Sequence, residues 1–265
     1  MLLLLIVPMT LTAQPIDVES MLGESWYGVY MNTQKAGYAV NSVTRNEDGT
    51  ITVTDDAQFQ ITMATVKQDM KIASRRTYNI EGDLLLIESE VIDPAGKNTF
   101  HGVVHGDEMD LTSVVGGVKT TTTLPRPQES LRDSVKLAQL VLNNPKEGNA
   151  ISFSVFEPLY KKELQGTSTI IGKEEREFDG VLTTVFKVKT TMSLGVDSIS
   201  YVAEDGTTLE DQVAGLITMR LEPENLAKDV SYSNDVIVSN AAMVSKPIEN
   251  PRKRNTLRLE LRGPM

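Results

Sequence analysis

Between Thr50 and Met63 the chain alternates. Ile51, Val53, Ala57, Phe59, Ile61 and Met63 share one side, Thr50, Thr52, Thr54, Asp56, Gln58, Gln60 and Thr62 share the other, and only Asp55 breaks the pattern. A period of two is that of an extended strand, and at ~3.4 Å per residue this one reaches about 45 Å. One dry face and one wet face belong to antiparallel sheets, because parallel strands are covered on both sides.

The same patterning recurs on either side of this run. Strands are expected at Trp26 to Met31, Lys35 to Arg45, Met70 to Asn79, Leu84 to Ile92, Asn98 to His105, Met109 to Val115 and Val118 to Leu124. They are punctuated by turn chemistry such as Asn46-Glu47-Asp48-Gly49, Glu81-Gly82-Asp83, Asp93-Pro94-Ala95-Gly96 and Gly116-Gly117. Ser130 to Asn143 then repeats apolar side chains at helical spacing (Leu131, Val135, Ala138, Leu142) and stops at Asn143-Asn144-Pro145. Such a stripe predicts a helix packed on a sheet face. Strands resume at Ala150 to Phe156, Tyr160 to Gly172, Leu182 to Met192, Val196 to Ala203 and Thr207 to Val213. Glu174, Glu175 and Glu177 around Arg176 read as a charged turn leading to Asp179-Gly180.

The expected fold class is therefore mainly β: antiparallel sheet or sheets of long strands, forming a curved or two-half-sheet clamp with one main covering helix. The half-sheets would span 24–124 and 149–238, joined by a helix at 130–143, within an antiparallel β domain at 14–245. Residues 1–13 are almost wholly apolar and lead to Ala13-Gln14-Pro15, the form of an export signal. Localisation is then periplasmic or extracellular. Elsewhere no apolar run approaches the roughly 20 residues that a membrane-spanning helix needs.

Charge is unevenly spread. The chain carries a formal −10 over 265 residues. Residues 246–265 hold six basic and two acidic side chains, so this basic linker and orphan strand, with Leu257, Leu259 and Leu261 alternating, contrasts with an acidic body. An acidic body opposes nucleic-acid binding, because phosphate recognition needs a basic field.

Little chemistry is encoded. The absence of cysteine excludes disulfides, thiolate metal sites and a cysteine nucleophile. His101 and His105 stand four apart, but on a strand that spacing leaves them about 13 Å from each other, too far to share a metal ion. Asp107, Glu108 and Asp110 beside them read as a solvated acidic turn. No nucleophile elbow, phosphate loop or dinucleotide fingerprint occurs. No catalytic, cofactor-binding or metal-ligating residue is assigned, and the chain reads as a non-enzyme. Trp26, Tyr27, Tyr30 and Tyr38 gather four of the fourteen aromatic side chains on two adjacent strands. They read first as cross-strand packing, with a stacking platform for a ligand as the alternative.

The run Glu24-Ser25-Trp26-Tyr27-Gly28-Val29-Tyr30-Met31 followed by Gln34-Lys35-Ala36-Gly37-Tyr38 resembles the β-rich N-terminal region of exported bacterial transglutaminase-like proteins. Tyr201-Val202-Ala203-Glu204-Asp205-Gly206, Thr218-Met219-Arg220, Glu224-Asn225-Leu226-Ala227 and the segment Ile248 to Leu259 carry the same resemblance. It implies a noncatalytic accessory, substrate-positioning or interaction module whose partner is a downstream or separate transglutaminase-like catalytic domain. That family's cysteine nucleophile has no counterpart in this chain. The alternative function is a periplasmic carrier for a lipid or other apolar ligand, with Phe59, Ile61, Met63, Phe186 and Met192 as its apolar face.

Overall fold

The computed structural model describes residues 17–230, except positions 32, 64, 65 and 144. The expected export signal and the basic segment 246–265 lie outside the described residues. After a short 3-10 turn at Glu19–Met21, a first meander comprises β1 (Gly23–Met31), β2 (Gln34–Arg45), β3 (Ile51–Met63), β4 (Val66–Tyr78), β5 (Leu84–Asp93), β6 (Gly96–His105), β7 (Glu108–Val115) and β8 (Val118–Pro125). Helix α1 (Leu131–Leu142) separates it from β9 (Ala150–Glu157), β10 (Lys162–Phe178), β11 (Val181–Met192), β12 (Asp197–Ala203), β13 (Thr208–Val213) and β14 (Ile217–Leu221). A single-turn helix, α2 (Glu224–Ala227), follows.

All fourteen strands form one antiparallel sheet in the order β8-β7-β6-β5-β4-β3-β2-β1-β14-β13-β12-β11-β10-β9. Every neighbour pair is a sequential hairpin except one, in which β1 pairs with β14 from Tyr27↔Leu221 to Met31↔Ile217. That pairing fuses the two expected half-sheets at their inner edges. The strands β8 and β9, which flank α1 in sequence, become the sheet's two outer edges.

The register shows how the sheet rolls. Val43, Val53, Arg76 and Ile87 lie opposite one another across β2 to β5 and so share a face. This face is concave: Leu131 of α1 packs on it with Val43, Ile51, Tyr78, Leu84 and Val18. At its other end α1 places Val141 against Ile170, Phe186, Val188 and Val202, on the matching face of the second meander. The helix thus lies inside the roll and touches both halves. Beyond it, β9 is tucked inward. Phe153 and Val155 line a crevice with Leu137 of α1 on one side of that strand. Phe156 points the opposite way and is buried among Ile87, Phe100, Met109 and Leu111. Burial of these three clusters is the main stabilising term, at about 25 cal/mol per Å² of apolar surface.

Three elements depart from sequence expectation. The charged run around Arg176 is strand, not turn: β10 continues to Phe178, and the turn is Asp179-Gly180, at φ 49° and 80°. Both positive angles suit the tight hairpin that such a dipeptide favours. On α1 the buried side chain of the last turn is Val141, while Leu142 is largely exposed, because the partner clusters lie on the Leu131 and Val141 side. The strand β14 has no counterpart among the expected strands, since five residues are too few to show alternation. Ser130 caps α1 as its spacing requires. Its Oγ accepts from the Arg132 amide at 3.2 Å and donates to the Gly82 carbonyl at 2.9 Å.

Candidate functional site

The helix fills only part of the roll. Along β2 and β3 the concave face continues past Val43 and Val53 to Asn41 and Asp55, then Ala39 and Ala57, then Gly37 and Phe59. β4 follows with Ser74, Ile72 and Met70. From β1 and the second meander come Tyr27, Met219, Asp211 and Ser200, which the register places on that same face. Together they bound a concavity of about 410 Å³, with Tyr27, Ala39, Ala57, Ile72 and Met219 among its walls. Volumes of this order hold small apolar ligands.

The charged groups that line this cavity, Asp55, Asp56 and Asp211, are all carboxylates, and Asn41, Ser200 and Thr208 are its neutral polar members. The Ser200 hydroxyl donates to Asp211 Oδ1 at 2.8 Å, and Asn41 Nδ2 donates to Asp55 Oδ1 at 2.7 Å. Burial pushes the Asp211 carboxyl above its ordinary range, only partly offset by the Ser200 hydrogen bond. Tyr27 is also shifted upward, first by burial and further by the charges of Asp211 and Asp55. Both carboxylates therefore act on one phenol at the back of the cavity. No Lys or Arg lines it.

Of the five residues expected to form an apolar face, the four with described side chains are not among those that line this concavity. Phe59 shares its face by register but borders a separate cavity of about 280 Å³, where Gln58, Lys71 and Ile92 alternate to the opposite face. Ile61 follows on the same side of β3 and is half-buried. The side chain of Met63 lies outside the described part of the structure. Phe186 is not on this surface, because Val141 of α1 covers it. Met192 sits opposite Gly166 near Phe153 and is not among the residues that line the concavity. The five therefore do not converge on one cavity. Tyr27, Asp211 and Met219 do converge with Ala57 and Ile72; Tyr27 belongs to the aromatic group that the sequence offers as a stacking platform, whereas Asp211 and Met219 carry no local signal of a site.

A second cleft, of about 530 Å³, lies on the convex face between the β10–β11 hairpin and β14. Its floor is the buried Glu210, paired with Arg176 at 2.6 Å and Arg220 at 2.9 Å. The Arg176 guanidinium lies 3.9 Å from the Tyr201 ring centroid. At its rim the Glu222 carboxylate accepts from the Tyr30 hydroxyl and pairs with Lys35 at 2.6 Å. Glu210 and Glu222 are thus answered by Arg176, Arg220 and Lys35, a structural network that pins the hairpin to the sheet. The aromatic group divides accordingly: Trp26 and Tyr38 pack at 6.0 Å on the convex face with Lys228 over the indole, while Tyr27 faces the concavity.

The two histidines stay apart in function. His101 faces Glu88 at 3.6 Å and His105 faces Asp110 at 3.7 Å, all four being exposed. Among the described residues no group of three or more His, Asp or Glu could hold a metal ion, and no helix is long and apolar enough to cross a membrane.

These features define a class of architecture, a rolled antiparallel β-sheet around one internal helix. Solved structures include one of similar form, a beta-barrel-like protein of the domain of unknown function DUF1849 from Brucella abortus. It aligns with a TM-score of 0.55 at 9% identity, covering 75% of this chain and 94% of that one, and the likeness is one of fold. No family model and no curated protein matches the sequence.

Proposed function

We propose that this protein is an exported, noncatalytic binding protein for an apolar ligand, which it holds in the open part of the rolled sheet. The observation that carries this reading is the concavity of about 410 Å³ left beside α1, walled by Tyr27, Ala57, Ile72 and Met219. A sheet face that served only as a core would be closed by its helix, as it is around Leu131 and Val141. Here Ile72 keeps 42% of its surface accessible in the middle of a strand. The test is titration with the uncharged fluorescent probe N-phenyl-1-naphthylamine. Saturable enhancement is expected, with at least about tenfold weaker binding in Ala57→Trp and Ile72→Gln, a loss equivalent to roughly 1.4 kcal/mol. Absence of saturable binding by the wild type, or unchanged affinity in both variants, overturns the reading.

A second reading, the accessory module with a transglutaminase-like catalytic domain as partner, draws on β8. This strand is an outer edge of the sheet, and among the described residues it pairs only with β7. Such an edge can accept an added strand from another protein. Co-purification with that class of domain, weakened by Val118→Lys and Thr120→Lys, is the expected result; capture unaffected by both substitutions rules β8 out.

A further inference from the structure

We infer that the ligand of the concavity carries a protonated amine on its apolar body. This deepens the binding reading above and rests on it. The cavity brings carboxylates from both meanders to one apolar space: Asp55 from β3 and Asp211 from β13. Each uses one oxygen internally, Asp55 Oδ1 with Asn41 and Asp211 Oδ1 with Ser200. Neither Oδ2 atom has a hydrogen-bond or ion-pair partner among the described residues. Three other carboxylates in partly or fully buried settings are met by cations, Glu210 by Arg176 and Arg220, Glu129 by Arg76 and Glu222 by Lys35.

The cavity differs from these, because it holds acid groups and an apolar wall with no cation in its lining. Desolvating a carboxylate is costly unless an opposite charge accompanies it. An ammonium group arriving with the ligand would supply that charge and donate to the free Oδ2 atoms. A fatty acid or other apolar anion would meet repulsion instead. A polyhydroxyl ligand would leave Ala39, Ala57, Ile72 and Met219 without apolar contact.

The experiment compares dodecylamine, dodecanol and dodecanoate by calorimetric titration at pH 7 and physiological salt, below their aggregation concentrations. Wild type is set against Asp55→Asn, the Asp55→Asn/Asp211→Asn double variant, and Glu47→Gln, an exposed change of equal charge on the β2–β3 turn. The expected result is that the amine binds at least about tenfold tighter than the alcohol, and dodecanoate more weakly than either. The double variant brings the amine to the level of the alcohol and leaves dodecanol affinity intact, while Glu47→Gln changes nothing. Equal binding of alcohol and amine, tighter binding of dodecanoate, or an amine preference that survives the double variant overturns the head-group inference alone. If none of the three compounds binds, the apolar-ligand reading falls with it. Asp55 is exposed, so its single variant reports even if the Asp211 change perturbs folding.

Discussion

Glu129 lies 2.9 Å from the Nε of Arg76, and the two side chains together cap the β9 edge of the sheet. The Phe156 amide on that edge donates to Glu129 Oε2 at 2.8 Å, and the Phe156 carbonyl accepts from Arg76 Nη2 at 3.3 Å. The Tyr78 hydroxyl donates to Glu129 Oε1 at 2.6 Å. The Nε approach is an ion pair that misses hydrogen-bond alignment, so Arg76 is held mainly through its other nitrogens and by charge. A strand edge buried without partners would be costly, and here two side chains take the place of a neighbouring strand.

Removing one member strands the other in a dry site. Glu129→Ala is expected to cost about 3–5 kcal/mol in urea unfolding, whereas Arg76→Met/Glu129→Leu costs less than Glu129→Ala alone. If the double variant proves the less stable, the pair is not the anchor of the β9 edge.

Gly37 stands opposite Phe59 on β2, and a Cβ there would overlap both the Phe59 side chain and the Gln58 carbonyl. Since one clashing atom is backbone, the strands must part. Gly37→Ala is expected to lower stability by about 2 kcal/mol or more, with loss of probe binding beside Phe59. Denaturant unfolding with the wild-type midpoint would refute this.

The Tyr30 hydroxyl is pushed up to about 12, first by burial and then by its hydrogen bond to Glu222. In the unfolded chain it ionises near 10, so above that pH the native state holds a proton that the unfolded state has released. The resulting stability is full below pH 10 and falls as pH rises toward 12. Tyr30→Phe should flatten that part of the alkaline unfolding profile, and absorbance at 295 nm should show one fewer late-ionising tyrosine in the variant than in the wild type.

For Asp211 the folded-state pKa is likewise raised, by burial. The fold therefore favours its protonated form, and a penalty enters as pH rises through and above the ordinary carboxylate range near 4. Asp211→Asn should raise the melting temperature at pH 7, and the gain should vanish at pH 3. An unchanged difference at the two pH values would show that charge is not the cause.

Much of this architecture is legible in the sequence because antiparallel hairpins are local. Alternation from Ile51 to Met63 and turns such as Asn46 to Gly49 specify β3 and its neighbours within a residue or two at most ends. The helix is equally plain from Ser130 onward. What is not legible is long-range. Ile217 to Leu221 offers no period of its own, yet it is the strand that Tyr27 to Met31 requires. Nothing in Phe153 to Phe156 tells that both faces of β9 are buried, one under α1 and one on β5 to β7. The site suffers most, since Ala57 declares its face through β3 alone, whereas Tyr27, Asp211 and Met219 meet it only after the β1–β14 pairing has formed.

That pairing also orders events during synthesis. Each of the other twelve contacts between strands can form as soon as its hairpin leaves the ribosome, but β1 must wait roughly 190 residues for its second neighbour. Throughout that interval a nascent chain presents the open side of Trp26 to Met31 to its surroundings, a template for unwanted pairing with other chains. Among the described residues the last strand to emerge is therefore the one that seals the first, and truncations that remove β14 should fail by aggregation before they fail by loss of any core contact.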